Sequence, residues 1–208
     1  MELAIAYDAT IEGWSRAMDL RDKETEGHTR RVTELTVLLA QAMVIKDKEI
    51  LNIRRGALLH DIGKMGIPDH ILLKPGKLDP AEWEVMKTHA GIGAEAIERA
   101  ERDAAQPIAF LTMAKQIARH HHERWDGSGY PDGLAGDAIP LSARLMALAD
   151  VFDALISRRV YKAPMPYERA REIIVASRAS HLDPDVVDAF VAHFDGFCDI
   201  ATRHADTD

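Results

Sequence analysis

Apolar positions recur every three or four residues along almost the whole chain. In GHTRRVTELTVLLAQAMVI, the residues Val32, Leu35, Leu38, Leu39, Ala42 and Met43 fall on one stripe, the spacing of a helix with one buried face. DKEILNIRRGALLHDIG repeats the pattern through Ile50, Ile53, Ala57 and Leu58. Asp79-Pro80 opens a third helix, with proline at a tolerated first position. Segments 107–122, 140–156, 166–177 and 184–194 read the same way, and residues 9–20 read as one more helix ahead of Asp22. No run alternates as a half-buried strand would. The pattern predicts an all-α bundle of roughly seven to nine helices. Two long loops interrupt it, 63–78 and 123–139; long ordered loops in a compact helical domain are often functional.

The chain has 208 residues, which suits one domain with an extra terminal segment. No apolar run approaches the ~18 residues of a membrane span. The N-terminus carries Glu2 and Asp8 and no basic start, unlike a secretory signal. Cys198 is the single cysteine, so no internal disulfide forms and a cytoplasmic location is expected. The net charge of −8 argues against a nucleic-acid polymer as partner, which needs a basic footprint. A small phosphate ligand requires only a local positive site.

Several residues interrupt the apolar pattern. His60-Asp61 precedes Gly63 at a helix end; alone, such a pair is weak evidence. Glu24 and His28 stand four apart and share a face if a helix begins early enough; taken alone they read more simply as a solvated pair. His89 is placed at a helix end, where a lone histidine is usually structural. His120-His121-His122-Glu123 precedes WDGSGYPDGL, whose Gly127, Gly129 and Pro131 suit a rigid turn. Asp150 and Asp153 lie inside the apolar segment RLMALADVFDALI. A buried carboxylate needs a partner or a metal, which makes Asp150 the stronger anomaly; Asp153 reads as a helix-internal hydrogen bond. Together Glu24, His28, His60, Asp61, His89, His121, His122 and Asp150 form an imidazole and carboxylate set suited to iron, manganese or zinc. Metals about 3.5–4 Å apart can activate water and clamp a phosphodiester. Divalent cations there would make a positive island in an acidic chain.

LLHDIGKMGIPDHILLKPGKL, MKTHAGIG and HHERWDGSGYPDGLAGDAIPLSARLMALADVFDAL resemble the HD-GYP domain, a bacterial branch of the HD phosphohydrolase superfamily. The resemblance runs from about Tyr7 to Phe194. It implies an all-α fold and hydrolysis of cyclic di-GMP to the linear dinucleotide pGpG, and on to GMP. It implies two or three divalent metals, iron or alternatively manganese, with Glu24 pointing to the trinuclear type. Carried over by position, His28, His60, Asp61, His89, His121, His122 and Asp150 are metal ligands, joined by Glu24. Asp61 is expected to bridge metals and, with Lys64, to be catalytic. Lys64, Gly129, Tyr130, Arg159 and Lys162 are expected to contact substrate. His120 falls outside the ligand set. One departure is Ala90, where the family often has proline after the histidine, which bears on local rigidity.

The expected organisation is an N-terminal helix over 1–20 that once linked to a sensor domain, a catalytic domain over 21–198, and a polar tail over 199–208. Expected partners are cyclic di-GMP, diguanylate cyclase (GGDEF) domains docking on the GYP turn, and a second copy of the chain through its first helix; no membrane partner is expected. Two rival readings stand beside this one. The same chemistry could act on another cyclic dinucleotide, or the domain could bind messenger or protein without catalysis.

Overall fold

The computed structural model describes residues 2–22, 27–104, 106, 108–157 and 164–204. It is all-α, with no strand among the described residues. Helix α1 spans Glu2–Asp22, α2 His28–Ala42 and α3 Asp47–Ala57; a 3-10 turn follows over Ile62–Gly66. Then come α4 (Asp69–Leu72), α5 (Pro80–Lys87), α6 (His89–Asp103) and α7 (Ala109–His120). The chain closes with α8 (Leu141–Ile156), α9 (Tyr167–Ala176), α10 (Pro184–Ala192) and α11 (Phe194–Arg203).

Helix α8 occupies the middle of the bundle. Ala143, Leu145, Met146, Leu148, Ala149 and Phe152 on it are all fully buried, and a helix that is apolar nearly all round has to be surrounded. The α2 stripe Val32, Leu35 and Leu39 packs into the same core. Phe152 meets Phe197 edge-on at 5.2 Å and Phe190 at 5.7 Å. A smaller cluster joins Ile11 of α1 to Leu58, Leu59, Ile97, Phe110, Ala114 and Ala118. Two ion pairs fasten α1 at its edge, Arg55 to Asp8 at 2.7 Å and Arg54 to Glu12 at 2.6 Å. Asp79 and Glu82 form a reciprocal cap at the start of α5, which satisfies two otherwise open backbone donors.

Four expectations need correction. The boundary at residues 20 and 21 falls inside α1, which continues to Asp22 because no helix breaker stands at that point. The polar tail expected from residue 199 is helical to Arg203; Ile200 and Ala201 continue the spacing of Phe194 and Phe197 and are buried with them. The loop 63–78 contains the 3-10 turn and α4. His89 opens α6 rather than closing a helix. No helix among the described residues is long and apolar enough to cross a membrane.

Candidate metal centre

The segment carrying His60 and Asp61 reaches the centre of the molecule because glycine lets two backbones meet. A Cβ on Gly63 would lie 1.8 Å from the carbonyl oxygen of His89 and 2.5 Å from the amide nitrogen of Gly93. Neither contact is possible for a larger residue, so the 3-10 turn seats directly on the first turn of α6. That contact brings Asp61 to His89.

The ligand atoms form two groups, each with its members within 4.8 Å of one another: His28, His60 and Asp150 in one, and Asp61, His89, His121 and His122 in the other. Asp61 lies between them. Its Oδ2 is 3.1 Å from Nε2 of His60. Its Oδ1 is 3.3 Å from Nε2 of His89 and 3.6 Å from Nε2 of His121. Nε2 of His122 is 3.1 Å from Nε2 of His89. Nζ of Lys64 is 2.8 Å from Asp61 Oδ2 and 2.9 Å from Asp22 Oδ2.

Four of the histidines are turned by the hydrogen bond at Nδ1. His60 pairs there with the Ala57 carbonyl at 2.8 Å, His89 with Met86 at 2.7 Å, and His121 with Ile117 at 2.9 Å. His28 Nδ1 lies 2.7 Å from Asp153 Oδ2. An Nδ1–H donated outward leaves the Nε2 lone pair facing the centre, the arrangement found around metal-bound imidazole. Asp153 is therefore no helix-internal bond. It is the more deeply buried of the two α8 aspartates, at 1% side-chain exposure against 23% for Asp150. Arg31 balances it, its Nε 2.6 Å from Asp153 Oδ1.

The donor set fits a divalent metal on three counts. Nε2 of His60, Nε2 of His121 and Oδ1 of Asp61 are buried and make no hydrogen bond, which native proteins rarely tolerate without an ion or water. Burial opposes the charge on Asp61, yet His60 and Lys64 hold its carboxyl well below the usual range. Burial, aided by the neighbouring His121 and His89, pushes His122 well below the ordinary imidazole value, and burial also lowers His121; both are neutral, the form that ligates. His60 behaves differently. Burial would lower it, but Asp61 outweighs that and raises it.

The turn after His122 closes over this centre. A Cβ on Gly129 would lie 2.3 Å from the Arg124 amide nitrogen and 2.5 Å from Glu123 Cα, so the turn folds flat onto the histidine segment. Glu123 is buried and accepts the backbone N–H groups of Asp132 at 2.8 Å and Leu134 at 3.1 Å. Tyr130 is thereby stacked on His122, ring centres 4.8 Å apart and planes 24° from parallel. Burial, with the charges of Asp61 and Asp150, raises the Tyr130 hydroxyl, which stays protonated. Nδ1 of His120 faces Asp132 at 3.5 Å, outside the two ligand groups.

Three sequence candidates lie outside the described residues: Glu24, Arg159 and Lys162. Asp153, which the sequence reading takes for a helix-internal hydrogen bond, and Arg31 and Glu123, to which it gives no role, are supporting residues. Only Asp153 gave a signal, as a charge in an apolar helix.

A family model described as HD domain matches residues 14–186. A Vibrio cholerae protein named "Probable cyclic di-GMP phosphodiesterase" is 50% identical over 99% of this chain, which covers 48% of that protein. A V. cholerae "3'3'-cGAMP-specific phosphodiesterase 2" is 43% identical over 88% of this chain, which covers 34% of it. The chain thus spans no more than about half the length of these relatives. Among solved structures, a V. cholerae cyclic GMP-AMP-specific phosphodiesterase superposes with a TM-score of 0.67 over 93% of this chain and 52% of its own, at 20% identity, a likeness of fold.

Proposed function

The chain belongs to the HD-domain family, and from that premise we propose that it is a metal-dependent phosphodiesterase hydrolysing cyclic di-GMP. The observation that carries this is Asp61, whose two oxygens face two separate groups of ligands. His28, His60 and Asp150 would hold one cation, and His89, His121 and His122 the other, with Asp61 shared. Glu24 would add a ligand for a third. Bound iron or manganese supplies Lewis acidity toward a phosphoryl oxygen and makes water a stronger nucleophile at neutral pH.

The protein's own groups do the rest. Outward Nδ1 hydrogen bonds keep the imidazoles aimed before substrate arrives, so little reorganisation remains for the reaction. Lys64, beside Asp61, places a positive charge where the phosphate gathers negative charge. Arg159 and Lys162 would contact the phosphates as well. Tyr130, kept protonated, lines the cleft and can donate a hydrogen bond. Water adds to phosphorus, one ribose P–O bond breaks, and the freed ribose oxygen takes a proton. The linear dinucleotide pGpG results, and a second round gives GMP. In this reading the enzyme is cytoplasmic, the GYP turn docks diguanylate cyclase (GGDEF) domains, and α1 pairs with a second copy.

A second reading rests on the relative named for 3'3'-cGAMP, namely the same chemistry on a mixed cyclic dinucleotide. Anaerobic incubation of iron- or manganese-loaded protein with equal amounts of cyclic di-GMP, 3'3'-cGAMP and cyclic di-AMP decides between them. Preferential loss of cyclic di-GMP, with pGpG or GMP appearing on chromatography, is expected. Preferential loss of 3'3'-cGAMP would move the assignment to the second reading. No product from metal-replete protein would leave a binding module.

A further inference from the structure

We infer that Trp83 is a stacking platform for a nucleobase of the cyclic dinucleotide, at the outer wall of the metal cleft. The inference rests on the phosphodiester reading above and extends it to a residue that this reading leaves unused. Trp83 is 46% exposed, on a helix, α5, that buries none of its side chains. A tryptophan kept for packing alone is usually highly buried. Here the indole instead continues a series of rings that starts at the metal ligands. His122 lies 3.1 Å from His89 through their Nε2 atoms, Tyr130 stacks on His122 at 4.8 Å, and Trp83 meets Tyr130 edge-on at 6.4 Å and 83°. A T-shaped contact engages at most one face of the indole, so at least one flat face is left uncovered by Tyr130.

Lys87, one helical turn from Trp83, reaches the same tyrosine, its Nζ 5.8 Å from the ring centre, while it also pairs with Glu84 at 2.8 Å. Residues four apart share a helix face, so α5 presents a flat aromatic surface and a cation together beside the cleft. A nucleotide offers the matching pair, a base and a phosphate. Stacking accepts any base because each has a π-face. Trp83 therefore contributes affinity for cyclic dinucleotides in general, and discrimination among them lies elsewhere.

The test compares metal-loaded wild type, Trp83→Ala and Trp83→Phe on cyclic di-GMP, with thermal melting of each. Stacking contributes about 1–3 kcal/mol per base, so the KM of Trp83→Ala should rise on the order of tenfold. Its kcat should stay within about twofold, because ground and transition states lose the same contact. Trp83→Phe should recover most of the affinity. Tryptophan emission gives a second readout: cyclic di-GMP should quench wild type, and the quench should vanish in Trp83→Phe, where Trp14 and Trp125 remain. An unchanged KM in Trp83→Ala, or a quench that survives in Trp83→Phe, would overturn the inference. So would a fall in kcat alongside a lower melting temperature, which would make Trp83 a prop for Tyr130. If wild type hydrolyses no cyclic dinucleotide, the functional reading has failed, and the quench alone still decides whether Trp83 stacks on the nucleotide.

Discussion

Asp153 fixes the direction of His28, and its own charge is held by Arg31 in the same buried pocket. Removing one member of such a pair leaves the other charged and unmatched, at a cost of roughly 3–5 kcal/mol. Asp153→Asn should therefore melt markedly lower than wild type, and its metal affinity should fall by about 10–100-fold, as for other residues that orient ligands. Calorimetry and metal titration check the two effects, and unchanged values for both would refute the role. The pH dependence has a definite sign. Burial works to raise the Asp153 carboxyl, but His28 and Arg31 hold it below its ordinary 3.8. Stability from that charge is present above the unfolded value and is lost as pH falls through the lower folded one, so the acid limb of Asp153→Asn should be shallower. The histidines and Asp61 were legible from residue type and motif. Arg31 and Glu123 were not, because an arginine in an amphipathic helix and a glutamate before a turn look like surface residues until their partners appear.

At the scale of elements, two contacts carry the site: the 3-10 turn on α6, and the GYP turn on the end of α7. Gly63→Ala puts a methyl group into the His89 carbonyl. Overpacking of this kind costs about 1–3 kcal/mol, and here the displaced backbone carries ligands. The variant should stay folded by circular dichroism yet bind metal much more weakly; wild-type metal affinity would show that the turn can yield. Glu123→Ala removes the acceptor for the Asp132 and Leu134 amides. Hydrogen exchange at those two amides should accelerate while α8 stays protected, and unchanged protection would mean that another group holds the turn. Periodicity located the main helices well, because one buried stripe per helix is written directly in the sequence. It missed α4 and the 3-10 turn, which are too short to show a period. It also missed the helical character of residues 199–203, where only Ile200 and Ala201 mark the buried side.

Across the whole molecule, an acidic chain of net charge −8 concentrates histidines and carboxylates where α2, α6, α7 and α8 meet. Metal binding there should be coupled to folding. With free metal at ~100 times its dissociation constant, binding adds about 2.7 kcal/mol, so a chelator should lower the melting temperature clearly. Equal melting with and without chelator would show that no metal is held. Helix α1 shares a buried cluster and two ion pairs with the rest, contacts that composition does not reveal. The central claim is that Asp61 joins two metal positions that together drive phosphodiester hydrolysis. Its most direct test measures metal content and cyclic di-GMP turnover on the same anaerobic preparations of wild type and Asp61→Ala. The account predicts at least two metals per wild-type chain with turnover, and loss of both bound metal and turnover in Asp61→Ala. Full turnover in Asp61→Ala with its metals in place would contradict it.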